Sequence, residues 1–174
     1  EGLDCIGSDV RLLTALWELG VRGASLTWSR RNLLASGCCK ASECYEIRGG
    51  LSPEGFDVVR GMERLGMFVD VSHLNDDGFE NIRETAIRPF MATHSNSREV
   101  SFHYRNLTDT QMQILADQGG IAGLNGYVRL VSETAEEEYP DENGVYCLEK
   151  LCMHVEHMVE VMGPEHVGYG FDFC

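Results

Sequence analysis

The chain has 174 residues, 43% of them hydrophobic and 9% aromatic, which is enough for one folded domain with a buried core. Its formal charge of −14, with scattered Lys and Arg residues, excludes a basic surface for nucleic acid or for an anionic membrane. No uninterrupted apolar run approaches the roughly 20 residues of a membrane span, and Glu1 does not begin a signal peptide.

Seven cysteines form an odd number, and none of them belongs to a CxxC motif. This pattern argues against both a zinc ribbon and a complete disulfide framework. Cys38, Cys39 and Cys44 are close enough in sequence to supply thiolates to a metal, but no fourth ligand accompanies them. Free thiols in a reducing cytoplasm are the preferred interpretation, and they predict a cytoplasmic protein.

Helices and strands alternate along the predicted chain. The predicted helices have apolar residues at helical spacing, and several have a recognisable start or stop, such as Ser52-Pro53-Glu54 and Gly66. An acidic run over 133–142 is interpreted as a solvated loop. The predicted elements in chain order are a helix over 9–19, a strand over 21–27, a helix over 53–65, a strand over 67–71, a helix over 76–85, a strand over 90–93, a helix over 108–118, a strand over 121–124, a helix over 148–162 and a strand over 167–171.

This alternation predicts a parallel sheet with helices packed outside it. In a barrel and in an open doubly wound sheet alike, functional groups collect at the C-terminal ends of the strands. The absence of the GxGxxG and GxxxxGK[ST] patterns disfavours a nucleotide-binding fold. The candidate site residues are therefore those that follow the predicted strands, namely Trp28, His73, His94, Asn125 and Asp172.

Two histidines and an aspartate at strand ends, with an arginine nearby, are the components of a hydrolytic metal site. Neutral imidazole and carboxylate suit Zn²⁺, and a carboxylate that bridges two ions lets them share one hydroxide as the nucleophile. A histidine after a strand can equally be a hydrogen-bonded structural residue, so His73 and His94 each have both interpretations. A second histidine and Asp172 in matching positions strengthen the metal interpretation, and both interpretations stay open at this point.

Seven motifs, spread over essentially the whole chain, resemble those of the membrane (renal) dipeptidase family of zinc peptidases in order and spacing. One such motif would be weak support, whereas seven in register are specific. The motifs are EG at 1–2, LGVRGASLTW at 19–28, GLSPEG at 50–55, LGMFVDVSH at 65–73, THSNSR at 93–98, YRNLTD at 104–109 and VGYGFDF at 167–173.

The resemblance implies an amidohydrolase-like (β/α)8 barrel with two zinc ions, which hydrolyses dipeptides by means of a metal-bridging hydroxide. By position, Glu1 resembles the carboxylate that bridges both metals, and His73 and His94 resemble ligands of the second metal. Arg105 resembles the arginine that binds the terminal carboxylate of the substrate, a task suited to a planar guanidinium. Asp172 resembles the acid/base that accepts the proton of the attacking water and passes it to the leaving amine.

Two further strand-end residues, Trp28 and Asn125, are assigned to substrate binding. In the renal enzymes a histidine occupies the position of Trp28, whereas LTW resembles a variant found among bacterial relatives. An indole N–H donates a hydrogen bond but cannot accept or carry a proton, so stabilisation of the transition state is expected to rest more heavily on the metals. The expected partners are a dipeptide substrate and a second copy of the chain in a homodimer.

The chain also departs from the family pattern. The first metal of the family needs a His-x-Asp pair on an early strand, and no HxD sequence occurs in this chain. About five strands are predicted, whereas the barrel has eight in ~250 residues. We therefore expect residues 1–174 to be an internal part of a longer barrel, without its first strands and its last helices.

Two other functions stay open on the sequence. A barrel relative that serves as a structural or interaction subunit would follow if the His-x-Asp pair is absent from the whole protein. A metal-dependent amidohydrolase acting on lactams would use nearly the same site and differs from a dipeptidase mainly through Arg105. Three further histidines are assigned no ligand role: His103 is expected in a loop, and His154 and His157 are expected to face solvent.

Overall fold

The structure is a computed structural model that describes residues 1–38, 49–132 and 145–172, with residues 145–147 described by their backbone alone. The predicted acidic loop over 133–142 lies outside the described residues, as do Cys39, Cys44 and Cys174. The chain forms two compact units, Glu1–Met91 and Ala92–Cys174.

The first unit alternates helices with short parallel strands, as predicted. Strand β1 (Gly23–Ser25) pairs in parallel with β2 (Phe68–Asp70), with Ala24 opposite Val69, and Asp70 at the end of β2 forms a parallel bridge to Met91. After a 3-10 helix at Asp4–Ile6, its elements are α1 (Leu12–Glu18), β1 (Gly23–Ser25), α2 (Pro53–Leu65), β2 (Phe68–Asp70) and α3 (Asp76–Thr85).

Helix α2 begins and ends where its sequence predicts. The Ser52 hydroxyl accepts a hydrogen bond from the Gly55 backbone N–H at 3.0 Å, which satisfies one of the free donors at the helix start. Proline at the first helical position fits because its ring sets a helical φ and its missing N–H has no partner to lose. Gly66 ends the helix with φ of 73°, a left-handed conformation that glycine adopts without a Cβ clash.

The second unit is built on the same plan. Strand β3 (Ala122–Leu124) pairs in parallel with β4 (Val167–Tyr169), and Ala92 forms a parallel bridge to Ala122. The predicted strand over 90–93 is reduced to single bridges at Met91 and Ala92, and the short helix α5 (Val128–Val131) is absent from the sequence prediction. The elements are α4 (Asp109–Asp117), β3 (Ala122–Leu124), α5 (Val128–Val131), α6 (Val145–Met162), a 3-10 helix at Pro164–His166 and β4 (Val167–Tyr169).

Helix α6 buries a histidine that the sequence analysis placed in solvent. His154 is 0% exposed, its Nδ1 accepts a hydrogen bond from the Ser97 backbone N–H at 3.2 Å, and its Nε2 lies 3.0 Å from the Val131 carbonyl oxygen. The solvent expectation for His154 is wrong, because the unpredicted helix α5 brings a carbonyl acceptor against this face of α6. His157, one turn later, pairs with Asp109 at 2.8 Å.

Three cysteine side chains lie within the described part of the chain, and none of the three forms a disulfide. Cys5 and Cys152 are exposed, whereas the buried Cys38 places its Sγ 2.7 Å from the Leu74 carbonyl oxygen.

No helix among the described residues combines the length and the apolar composition that crossing a bilayer requires.

The buried histidine predicts a loss of stability in mild acid. Burial lowers the pKa of His154 below its usual value of 6.5, although its hydrogen bond with the Val131 carbonyl opposes this shift. The unfolded chain therefore takes up a proton at a pH where the folded chain does not, so the free energy of unfolding decreases as the pH falls below 6.5. The slope from one such group is at most about 1.4 kcal/mol per pH unit.

Urea denaturation of the full-length protein and of its His154→Gln variant between pH 5 and 8 tests this expectation. Glutamine does not titrate, so the difference in unfolding free energy between the two proteins should shrink as the pH falls. A difference that stays constant with pH would contradict the buried, neutral state of His154.

Candidate active site

In the first unit, the C-terminal end of β2 delivers a histidine next to the carboxylate of Glu1. His73 is 5% exposed, and its Nε2 lies 3.4 Å from Glu1 Oε2. Two ligand atoms that bind one tetrahedral Zn²⁺ at its usual bond lengths are roughly 3.4 Å apart. The donor types and their separation therefore fit a metal ion held between Glu1 and His73.

The backbone that carries His73 is fixed by local and long-range hydrogen bonds. The buried Asp70 accepts hydrogen bonds on Oδ1 from the backbone N–H of Ser72 at 3.0 Å and from its hydroxyl at 2.7 Å, which turns the chain directly after β2. The His73 carbonyl oxygen accepts a hydrogen bond from the Cys38 backbone N–H at 2.8 Å. These contacts hold the histidine at the strand end independently of its ring.

Trp28 lies beside His73 in the same unit. The centroids of the two rings are 5.9 Å apart with an interplanar angle of 33°, and Trp28 is 52% exposed. Ser29 places its Oγ 3.3 Å from His73 Nδ1. The structure thus brings together three of the predicted site residues here, namely Glu1, Trp28 and His73, and adds a serine that the sequence analysis did not single out.

In the second unit, His94 follows the bridge between Ala92 and β3. It is 5% exposed, and its Nδ1 lies 2.7 Å from the hydroxyl oxygen of Thr93. A Cβ on Gly123 would come within 2.0 Å of the Thr93 carbonyl oxygen, and a Cβ on Gly170 would come within 1.8 Å of it. Only glycine at both positions allows three backbone segments to approach so closely around the residue that precedes His94.

Arg105 is held beside His94 in this unit. It is 7% exposed, its Nη1 donates to Ser95 Oγ at 3.4 Å, and its Nη2 donates to the His94 carbonyl oxygen at 3.4 Å. Its backbone N–H donates to Nδ1 of His103, which lies in a loop as expected and packs against the Tyr104 ring with centroids 4.1 Å apart. A buried guanidinium fixed in this way presents a planar fork suited to a carboxylate.

Asn125, directly after β3, forms a reciprocal pair with Asn96. The Asn96 Nδ2 donates to the Asn125 carbonyl oxygen at 3.0 Å, and the Asn125 backbone N–H donates to Asn96 Oδ1 at 2.8 Å. Asn125 Oδ1 accepts from the Tyr127 backbone N–H at 2.6 Å. Its Nδ2 is buried without a hydrogen-bond partner among the described residues.

Asp172 follows β4 on an exposed segment with an unusual backbone conformation. Its φ is 60°, and no other non-glycine residue in the described part of the chain has a positive φ. Two backbone hydrogen bonds hold this segment, from Gly170 to the Leu124 carbonyl at 3.0 Å and from Gly126 to the Phe171 carbonyl at 3.0 Å. Residues in this conformation cost energy and cluster at functional sites.

Three polar residues of the site were not found from the sequence: Ser29, Thr93 and Asn96. Their sequence signal is weak, because a hydroxyl or amide next to a candidate ligand is common. Only THSNSR, which contains two of them, coincided with a motif of the resemblance.

Comparisons with known proteins show which family the chain resembles. The family model for "Membrane dipeptidase (Peptidase family M19)" matches residues 1–174. A "Dipeptidase verJ" of Clonostachys rogersoniana is 32% identical over 173 residues, which cover 99% of this chain and 41% of that protein. An uncharacterised Klebsiella pneumoniae protein encoded in the pqqA 5′ region is 31% identical over 175 residues, which cover 99% of this chain and 62% of that protein.

A solved structure shares the fold. It is a metallopeptidase from Rhodobacter sphaeroides, liganded with a phosphinate mimic of the dipeptide L-Ala-D-Ala, and it matches with a TM-score of 0.89 and 31% identity over 99% of this chain and 48% of that one. The chain thus spans between two fifths and two thirds of the length of these relatives.

These matches confirm the predicted fold class, an amidohydrolase-like (β/α)8 barrel of which this chain carries part. They also imply a metal cofactor, because the matched structure from Rhodobacter sphaeroides is a metallopeptidase. The full-length match to the family model and the agreement of relatives and solved structures lead to one conclusion: the chain belongs to the membrane dipeptidase family, peptidase family M19.

Proposed function

We propose that the protein to which this chain belongs is a zinc-dependent dipeptidase that hydrolyses short peptides with a free C-terminal carboxylate. The observation that carries the proposal is the pair of Glu1 Oε2 and His73 Nε2, 3.4 Å apart at a strand end, in a chain that belongs to a dipeptidase family. Carboxylate and imidazole are the donors that suit zinc at a hydrolytic site.

The proposed metal ligands are Glu1, His73 and His94. These donors also accept Mn²⁺ or Co²⁺, so zinc is the expected rather than the required ion. A divalent ion bound by such donors would supply Lewis acidity and would lower the pKa of water, which would provide a nucleophile at neutral pH. Two ions would need ligands beyond this chain, which contains no His-x-Asp pair.

Arg105 binds the substrate carboxylate in this proposal. Its side chain is 7% exposed and is oriented by hydrogen bonds to Ser95 Oγ and to the His94 carbonyl oxygen. A guanidinium with restricted motion loses little entropy when it pairs with a carboxylate in a bidentate manner. The requirement for a free C-terminus follows from this contact.

Asp172 acts as the acid/base: it takes the proton of the attacking water and gives it to the leaving amine. Its position after β4 and its left-handed backbone support a functional rather than a structural role. Asn125 Nδ2, buried and without a partner among the described residues, and the half-exposed Trp28 beside His73 supply N–H donors for substrate binding.

Metal removal is the first test. We expect full-length protein to contain zinc and to hydrolyse L-Ala-L-Ala or L-Ala-D-Ala, the latter chosen because the Rhodobacter sphaeroides enzyme binds a mimic of it. A chelator should abolish hydrolysis, and added Zn²⁺ should restore it. His94→Asn should lower the metal content measured by elemental analysis, whereas His166→Asn, which alters a histidine bonded to the Gly120 carbonyl, should not.

Full activity in metal-free protein would contradict the metal-dependent mechanism. Protein that holds no metal and cleaves no dipeptide would instead favour the non-catalytic barrel relative. Cleavage of a lactam but of no dipeptide would favour the alternative amidohydrolase.

The carboxylate clamp is tested by pairing a substitution with a substrate change. We expect Arg105→Met to lower kcat/KM for L-Ala-L-Ala by about 10- to 100-fold, the amount that corresponds to one charged hydrogen-bonded contact. The C-terminal amide of the same dipeptide has no carboxylate to bind, so on this substrate the variant and the wild type should have similar kcat/KM. The exposed Arg129→Met is the matched control and should behave as wild type. An equal loss on both substrates would remove Arg105 from carboxylate recognition.

The acid/base is tested with Asp172→Asn. Asparagine tolerates positive φ about as well as aspartate, so the backbone should be retained while the proton acceptor is lost. We expect kcat to fall by about 10²- to 10⁴-fold with unchanged metal content. Asp117→Asn, at an exposed aspartate on α4, is the control. Near-normal turnover of the Asp172 variant would assign proton transfer to another group.

A further inference from the structure

We propose that Ser29 and Thr93 are positioning residues that hold the two candidate metal-binding histidines by Nδ1 and leave Nε2 of each ring to the metal. The inference rests on the proposed function and deepens it, because it assigns the groups that orient the ligands rather than the ligands themselves.

The two nitrogens of His73 face different partners. Nε2 lies 3.4 Å from the Glu1 carboxylate, and Nδ1 lies 3.3 Å from Ser29 Oγ. His73 is 5% exposed, so a partner at each nitrogen matters: a buried polar atom without a hydrogen bond is costly. The serine therefore determines which edge of the ring is presented to Glu1.

His94, within the other unit, also has a hydroxyl at Nδ1. Its Nδ1 lies 2.7 Å from the hydroxyl oxygen of Thr93, the preceding residue, and His94 is 5% exposed. Both candidate histidine ligands thus have a hydroxyl at Nδ1, although one hydroxyl comes from a neighbour in sequence and the other is 44 residues away.

The hydroxyl suits this position because it both donates and accepts hydrogen bonds. An imidazole that gives its Nε2 lone pair to a cation carries its proton on Nδ1 and needs an acceptor there. Before the ion binds, Nε2 of His73 can carry the proton toward the Glu1 carboxylate, and Ser29 then donates to Nδ1. A carbonyl or carboxylate only accepts hydrogen bonds, so it could partner Nδ1 only in the metal-bound state, when Nδ1 carries the proton. A hydroxyl can partner Nδ1 in both states and keeps the ring in one orientation.

Gly37 packs closely against the backbone of both neighbours of Ser29, which restricts the backbone of Ser29. A Cβ on Gly37 would lie 2.1 Å from the Trp28 carbonyl oxygen and 2.7 Å from the Arg30 backbone nitrogen. Glycine at 37 therefore lets the chain pack directly against the residues that flank Ser29. A hydroxyl on a backbone held in this way can orient a ring, since it does not have to be ordered when the metal binds.

The test uses paired substitutions that remove or keep each hydroxyl in the full-length protein. Ser29→Ala and Thr93→Val remove the hydroxyl, whereas Ser29→Thr and Thr93→Ser keep one. Ser101→Ala is the matched control, because the Ser101 hydroxyl is buried without a hydrogen-bond partner among the described residues. The measurements are Zn²⁺ affinity by competition with a chelator and the ¹⁵N chemical shifts of the histidine ring nitrogens, which report the tautomer.

We expect the two hydroxyl-deleting variants to lose about 10- to 100-fold in Zn²⁺ affinity and to alter the ring ¹⁵N shifts, whereas the hydroxyl-keeping variants stay within about 3-fold of wild type. Urea denaturation of every variant identifies any that is merely unfolded. If wild type binds zinc and Ser29→Ala and Thr93→Val match Ser101→Ala, the positioning role is overturned while the proposed function stands. If wild type binds no zinc, both are overturned.

Discussion

Close backbone contact at glycine is the constraint on which the arrangement of the candidate site depends. Gly123 and Gly170 allow two segments to pack against the Thr93 carbonyl, and Gly37 allows a loop to pack against the Trp28 carbonyl. Any side chain at these glycines would push backbone against backbone, which has no flexible end to move aside. This packing fixes the positions of the residues next to the contacts, among them His94.

Polar groups near the strand ends are buried and hydrogen-bonded, which makes their positions specific. Asn96 pairs with Asn125, and Ser72 bonds to the buried Asp70. Because an unpaired buried polar group is costly, such networks allow few alternative arrangements. The Nδ2 of Asn125 stands apart, since it is buried without a partner among the described residues and lies where a substrate donor is proposed.

Charge explains why a buried arginine would matter for the proposed dipeptidase activity. The chain has a formal charge of −14, so its overall field opposes the approach of a carboxylate. A guanidinium held at 7% exposure acts at short range, where the surrounding water screens it less than at the surface. Local charge at Arg105, rather than the field of the whole chain, would therefore select a free C-terminus.

Patterns along the sequence predict the alternation of helices and strands, the limits of α2 between Ser52 and Gly66, the family and the strand-end positions of the candidate residues. These follow from local periodicity, from capping residues and from motifs read along the chain. Tertiary structure decided the short helix α5, the burial of His154 and the hydroxyl partner of His73. The reason is physical: Ser97 bonds to His154 across 57 residues and Ser29 to His73 across 44, and contacts between segments so distant in sequence leave no local pattern.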